Sequence, residues 1–214
     1  MEDVMAERRY GVQPAPTETT VRSGDWEFRD LEGDTFTRVL FVDVDLTETV
    51  AKGAVFEECA FRGVRFNCSV STDTAFVNCT FTRCSFFDAT FTGCKLTGSM
   101  FDGCTFGALK VAGGDWSFTG LPGADLRGAA FSRVRMREVD LTGARLEKAV
   151  FRDCDLSASW FHQAELAECD LRGSDLNVLN LDTARFRAAL IDSRQAATVA
   201  AAFGFTIGEP GGEI

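Results

Sequence analysis

Eight cysteines, one histidine and a series of spaced carboxylates are the residues of this 214-residue chain whose types could do chemistry. Cys59 with Cys79, or Cys79 with Cys84, could act as a redox or metal-binding thiol pair. Such sites use C-x-x-C or related spacings, and none is present here. The single His162 leaves no multi-histidine metal site to build and no second imidazole for acid–base work. Asp140, Asp155, Asp170 and Asp175 are spaced through the C-terminal half. Such carboxylates could meet the positive surface of a partner, or bond backbone N–H groups at turns. No phosphate-binding glycine loop, nucleophile elbow or paired catalytic acid appears. The residue types therefore predict a protein that is not an enzyme and has no catalytic, cofactor or metal-ligating residue.

The elements that position these residues follow from a repeat. Every fifth residue from Leu31 to Ile191 is large and apolar with few exceptions, as in Phe56, Phe61, Phe66 and Leu121, Leu126, Phe131. The register never slips, and fifteen of the 20 Phe fall on it. Phe is the aromatic that can be buried without a hydrogen-bond partner. The residue two before these centres is small except at Arg29, Asp34, Leu109 and Leu179, and seven of the eight cysteines sit there: Cys59, Cys79, Cys84, Cys94, Cys104, Cys154 and Cys169. That position reads as structural burial. Gly recurs two residues after the centre, as at Gly93, Gly128 and Gly173. A period of five matches neither the helix nor the strand period. It needs a chain that turns after every five residues, with one large and one small residue inward.

Segments such as Ala124-Asp125-Leu126-Arg127-Gly128 and Cys169-Asp170-Leu171-Arg172-Gly173 resemble the pentapeptide-repeat family. The resemblance implies an all-β solenoid, a right-handed quadrilateral β-helix with four pentapeptides to a coil of 20 residues. About eight coils at roughly 4.8 Å each would make a rod on the order of 40 Å long. Residues 20 apart would stack, so Cys59 would lie over Cys79 and Cys84 over Cys104. Ala51 and Ser71 are weak centres on one face, next to Val50 and Val70. A local bulge that turns the valines inward is expected there.

The organisation read from the chain is a leader over 1–24, a repeat region over 25–192 and a tail over 193–214. The tail contains an Ala-rich helix after Ser193, with Gly204 as its stop, and then Phe205-Thr206-Ile207 alternating like a short strand. Val199, Phe203, Phe205 and Ile207 exceed what a one-sided cap needs, so they predict a symmetric dimer interface. Ile191-Asp192-Ser193-Arg194-Gln195-Ala196, with Phe203-Gly204-Phe205-Thr206-Ile207-Gly208, looks like the end of Qnr and MfpA-type quinolone-resistance proteins. The stretch from Leu121 to Leu156 is similar to the MfpA type. This resemblance implies a DNA-like rod that binds DNA gyrase or topoisomerase IV and protects it from quinolones. Asp140, Asp155, Asp170 and Asp175 would then form an acidic partner surface.

Charge qualifies that implication. The net charge of −10 argues against direct nucleic-acid or anionic-membrane binding. A ~40 Å duplex carries roughly 24 negative charges. The span from Trp26 to Ile191 has 24 acids and 18 bases, a net of −6 spread over all four faces. A scaffolding module with an unrelated protein partner is the competing expectation. No signal-peptide h-region or apolar membrane span is visible, and the cysteine usage fits a reducing cytoplasm. His162 and Trp160 should both face outward.

Overall fold

The computed structural model describes residues 16–23, 26, 28–176 and 183–208. Each pentapeptide buries its centre and its small residue, then turns a corner in left-handed backbone two residues after the centre. Corner residues Glu58, Arg83 and Asp153 have φ of 52°, 53° and 53°. Ordinary L residues pay roughly 1–2 kcal/mol to sit there, which is why glycine recurs at this position. At Gly173 there is a second reason: a Cβ would collide with the Asp153 carboxylate folded over it from the coil below.

Coils stack in parallel with a register of 20 on four faces, named here by a centre on each. On the Phe41 face, strands Thr19–Arg22, Val39–Val42, Ala60–Arg62, Thr80–Thr82 and Met100–Asp102 pair in that order. The face continues through bridges Met100 to Gly120, Gly120 to Asp140 and Asp140 to Trp160. The Leu31 face runs through seven strands, from Asp30–Glu32 to Val150–Arg152. The Phe36 face has three, Thr35–Thr37, Val55–Glu57 and Ala75–Val77. The Leu46 face is held by single bridges such as Asp45 to Arg65 and Arg145 to Glu165. The result is a right-handed quadrilateral β-helix of about seven turns with one short C-terminal helix.

The core is a set of side-chain columns. Rings of Phe41, Phe61, Phe81 and Phe101 stack with centroids 4.9, 4.8 and 4.6 Å apart. These distances are the inter-strand spacing itself. Each ring also meets neighbours from the next face edge-on, as Phe41 meets Phe56 at 6.0 Å and 70°. Offset and edge-on aromatic pairs add about 0.5–1.5 kcal/mol beyond burial. Trp26 closes the N-terminal end of this stack against Phe36 and Phe41, with the Arg29 guanidinium 4.5 Å above its ring.

The small inward column has its own chemistry. Ser159 Oγ donates to Met136 O at 2.6 Å and accepts from Val139 N at 3.1 Å. Ser99 and Ser174 bridge the coil below in the same way. Cysteine keeps only the donor half, as Cys79 Sγ to Phe56 O at 3.3 Å and Cys94 Sγ to Ser71 O at 3.3 Å. Ser, Thr and Cys at this position thus satisfy backbone groups that the ladder leaves over. All eight cysteines are free thiols, six of them buried. Burial pushes the Cys94 and Cys154 thiols up to about 11 and Cys169 to about 12.

Two expectations change. Val50 and Val70 do not turn inward: they are exposed, while Ala51 and Ser71 stay buried in register. Val50 N bonds Arg29 O and Val70 N bonds Thr49 O. A bulge would break ladder bonds on both sides, whereas two half-exposed valines forgo only about 1 kcal/mol each. The solenoid also starts before residue 25, since Thr19–Arg22 pairs with Val39–Val42. Residues 1–15 of the expected leader lie outside the described residues.

Candidate functional site

The C-terminal end is built by one helix. Helix α1, Ser193–Ala202, starts at Asp192, whose carboxylate accepts from Arg194 N and Gln195 N. Gln195 Oε1 returns the bond by accepting from Asp192 N at 2.7 Å, which completes a capping box. The same two residues fasten the helix to the last coil. Asp192 Oδ2 accepts from Gly173 N at 2.9 Å, and the buried Gln195 Nε2 donates to Leu171 O and Ser174 O at 2.6 and 2.7 Å.

At the other end of α1, Gly204 N bonds Ala201 O and Phe205 N bonds Ala200 O, with Gly204 at φ +80°. This is a Schellman stop, and it throws the tail outward. Val199 packs against the core, but Phe203, Phe205 and Ile207 are 60, 69 and 65% exposed. Ile191, the last repeat centre and expected inward, is exposed beside the cap, as is Leu190 before it. Together these five side chains expose roughly 500 Å² of apolar surface, comparable to the largest patch on a typical monomer. Residues 205–208 form no strand among the described residues. Their alternation has no strand partner among the described residues.

The four carboxylates expected to form one acidic surface lie on three faces. Asp140, on the Phe41 face, is buried and accepts from Thr142 N at 2.9 Å. Asp170, on the Leu31 face, is buried between Arg172 and Arg152 at 2.8 and 2.7 Å. Bonds from Arg172, and then Arg152, hold its carboxyl well below the usual carboxylate range. Only Asp155 and Asp175 share a column, on the Phe36 face. Asp155 accepts from Ser157 and lies 3.7 Å from Arg137. Asp175 is half-buried.

Elsewhere, charge is consumed in ladders between coils. Asp45 pairs with Arg65 at 2.5 Å, Asp125 with Arg127 and Arg145 at 2.7 and 3.3 Å, and Glu165 with Arg185 at 3.3 Å. The Arg65 guanidinium lowers the Asp45 carboxyl to about 2. Asp115 meets Arg135 at 3.6 Å on the Phe36 face. On the Phe41 face, by contrast, Asp43, Arg62, Arg83, Asp102 and Asp140 form no ion pair among the described residues. That face also carries Leu40, Val42, Met100, Trp160 and the exposed His162. It combines a strand surface with few charged side chains, none of them ion-paired among the described residues.

A shallow polar groove at the corner of the Leu31 and Phe36 faces is lined by Lys95, Arg133, Arg135, Asp115 and Asp153. It forms where Gly114 takes the small inward position. A Cβ there would collide with the Cys94 backbone, so the chain has drawn inward. Among the described residues, no group of three or more His, Cys, Asp or Glu side chains could hold a metal ion. No helix among them is long and apolar enough to cross a membrane.

Family models recognise the repeat. A family model described as "Pentapeptide repeat region" matches residues 84–161, and one described as "Pentapeptide repeats (8 copies)" matches residues 149–188. No curated protein matches the chain. Among solved structures, a trypsin-treated form of QnrB1, a plasmid-mediated fluoroquinolone resistance protein, is 21% identical. The match covers 90% of this chain and 99% of that one, with a TM-score of 0.49. HetL, a pentapeptide repeat protein involved in heterocyst differentiation regulation in the cyanobacterium Nostoc, is 14% identical over 80% of this chain and 87% of its own, with a TM-score of 0.38. A pentapeptide repeat protein of the Arabidopsis thaliana thylakoid lumen is 26% identical over 49% of this chain and 66% of its own, with a TM-score of 0.23. The repeats matched from residue 84 to residue 188 belong to the pentapeptide-repeat family, and the same five-residue geometry reaches back to Leu31.

Proposed function

We propose that this chain is a non-catalytic, cytoplasmic binding protein. It works as a two-fold dimer joined through its C-terminal end, and docks as a rod on DNA gyrase or topoisomerase IV. It modulates the enzyme or shields it from quinolones or similar poisons by occupying a DNA-binding surface. The observation that carries this reading is the tail. A capped helix, locked to the last coil by Gln195, holds Phe203, Phe205 and Ile207 outward in a segment that resembles the end of the Qnr and MfpA-type proteins. A two-fold pairing of this end would bury roughly 1,000 Å² in total, the lower bound for a stable interface. The Phe41 face, with its few charged side chains, and the exposed part of the Asp155–Asp175 column are the surfaces offered to the enzyme.

A second reading, a scaffold for an unrelated protein, draws support from the ion-pair ladders. They neutralise carboxylates that a phosphate-like surface would need free. A supercoiling assay with purified gyrase, with and without a quinolone, separates the two. Inhibition of supercoiling or rescue from drug-induced cleavage at micromolar protein is expected. Neither effect at that concentration overturns the gyrase reading, and recovery of a non-topoisomerase partner in a pull-down favours the scaffold. Light scattering on the eluting peak should give about twice the 23.3 kDa chain mass; a monomer removes the dimer.

A further inference from the structure

We propose that the phenylalanine-rich core holds one structural water, bound between the second and third coils at Ser69 and Ser71. The argument starts from side-chain size. On the Leu31 face the inward column reads Leu31, Ala51, Ser71, Phe91, so two successive centres lack the bulk that fills every neighbouring layer. The backbone does not close the gap, because each strand is bonded to the coils on both sides in fixed register. Small side chains in a frame that cannot collapse leave space. A cavity is found at this point, lined by Leu46, Thr49, Ala51, Phe66, Ser69 and Ser71 among others, all of them buried.

The size of the cavity selects its occupant. The volume swept by the centre of a water-sized sphere is about 10 Å³, at the threshold of ~10–15 Å³ for a single water. Nothing larger fits. Its chemistry selects the occupant as well. Ser69 is 4% exposed and its Oγ has no hydrogen-bond partner among the described residues. The other bridging serines of the small column, Ser99, Ser159 and Ser174, each satisfy a carbonyl on the coil below. At Ser69 the corresponding carbonyl, Leu46 O, accepts from Thr49 N at 3.2 Å, and Ser69 Oγ makes no bond to it. A buried hydroxyl left without a partner costs about 1–3 kcal/mol, so a water that reaches it is retained. Thr49 Oγ1 donates to Trp26 O at 3.0 Å and keeps lone pairs for a further donor. Ser71 supplies the third hydroxyl on the wall. Three hydroxyls meet the two to four polar partners that a buried water needs. Dry cavities, by comparison, are lined by apolar groups alone.

The test is a high-resolution crystal structure of the full chain, alone and under xenon pressure, with two variants. One peak within hydrogen-bond distance of Ser69 Oγ is expected in the parent protein. It should be lost in Ser71→Val, which fills the space, and lost or displaced in Ser69→Ala. Circular dichroism checks that both variants keep the fold. Absence of the peak in the parent, xenon occupying the cavity, or a peak unmoved in both variants would each overturn the assignment.

Discussion

Replacing Gln195 with Ala should unfasten one end of the rod and leave the rest intact. The buried amide makes three short bonds: to Leu171 O at 2.6 Å, to Ser174 O at 2.7 Å and from Asp192 N at 2.7 Å. A typical hydrogen bond contributes about 1 kcal/mol net, and each partner stranded under the helix costs about 1–3 kcal/mol. Loss of the capping box adds about 1 kcal/mol. Some stranded groups will find water as α1 lifts, so a local cost of about 3 kcal/mol is a fair working value. In a solenoid each coil contacts only its neighbours, and the loss stays near the end that suffers it. Hydrogen exchange read by mass spectrometry should show opening of the segment 185–203 rising on the order of 100-fold. Peptides covering the Phe41 to Phe101 stack should be unchanged. Equal acceleration in both regions, or none in the tail, would refute both the staple and the locality of its effect.

Other outcomes follow from the same geometry. Asp45 and Asp170 have carboxyls held below their usual range by arginine, so their contribution to stability is present above the unfolded value near 3.8 and is lost as pH falls towards 2. Urea midpoints should be flat above pH ~5 and fall below ~4, and Asp170→Asn should shrink that fall; a midpoint that rises on acidification would contradict the sign. Ser159→Ala strands Val139 N and Met136 O and should cost about 1–3 kcal/mol by chemical denaturation. Ser159→Cys, which keeps the donor, should cost less, and the reverse order would count against the bridging role. A chromogenic disulfide reagent should titrate Cys68 and Cys104 before the six buried thiols, which should react only on unfolding; eight fast thiols in the native protein would contradict the burial.

The periodic part of this molecule was legible from single residues because a five-residue unit has one geometry wherever it occurs. Phe81 needs only its place in the count to be assigned inward, over Phe61 and under Phe101. What escaped depends on pairs from different coils. The arginine clamp on Asp170 joins residues 18 and 2 apart, and the carboxylate could equally have been free. The outward direction of Val50 and Val70 likewise follows from bonds to the neighbouring layers, which the packing of one layer does not contain. Gln195 did carry a readable signal: it stands three residues after Asp192, the spacing of a capping box. Its second attachment, to Leu171 and Ser174, required the coil path. The apolar tail at Phe203, Phe205 and Ile207 was apparent from composition, whereas Leu190 and Ile191 looked like ordinary repeat positions until the last coil lost its cover.

The 20-residue register makes the molecule a ruler with one graduation. A coil removed or inserted as a whole unit returns every inward column to its place, so length can change in steps of about 4.8 Å without a change in cross-section. A change of any other size rotates the faces against one another. The spacing between the apolar C-terminal end and any contact on the shaft is therefore adjustable only in whole graduations. A partner that reads this distance would tolerate the loss of residues 71–90 or reject it outright, with nothing in between.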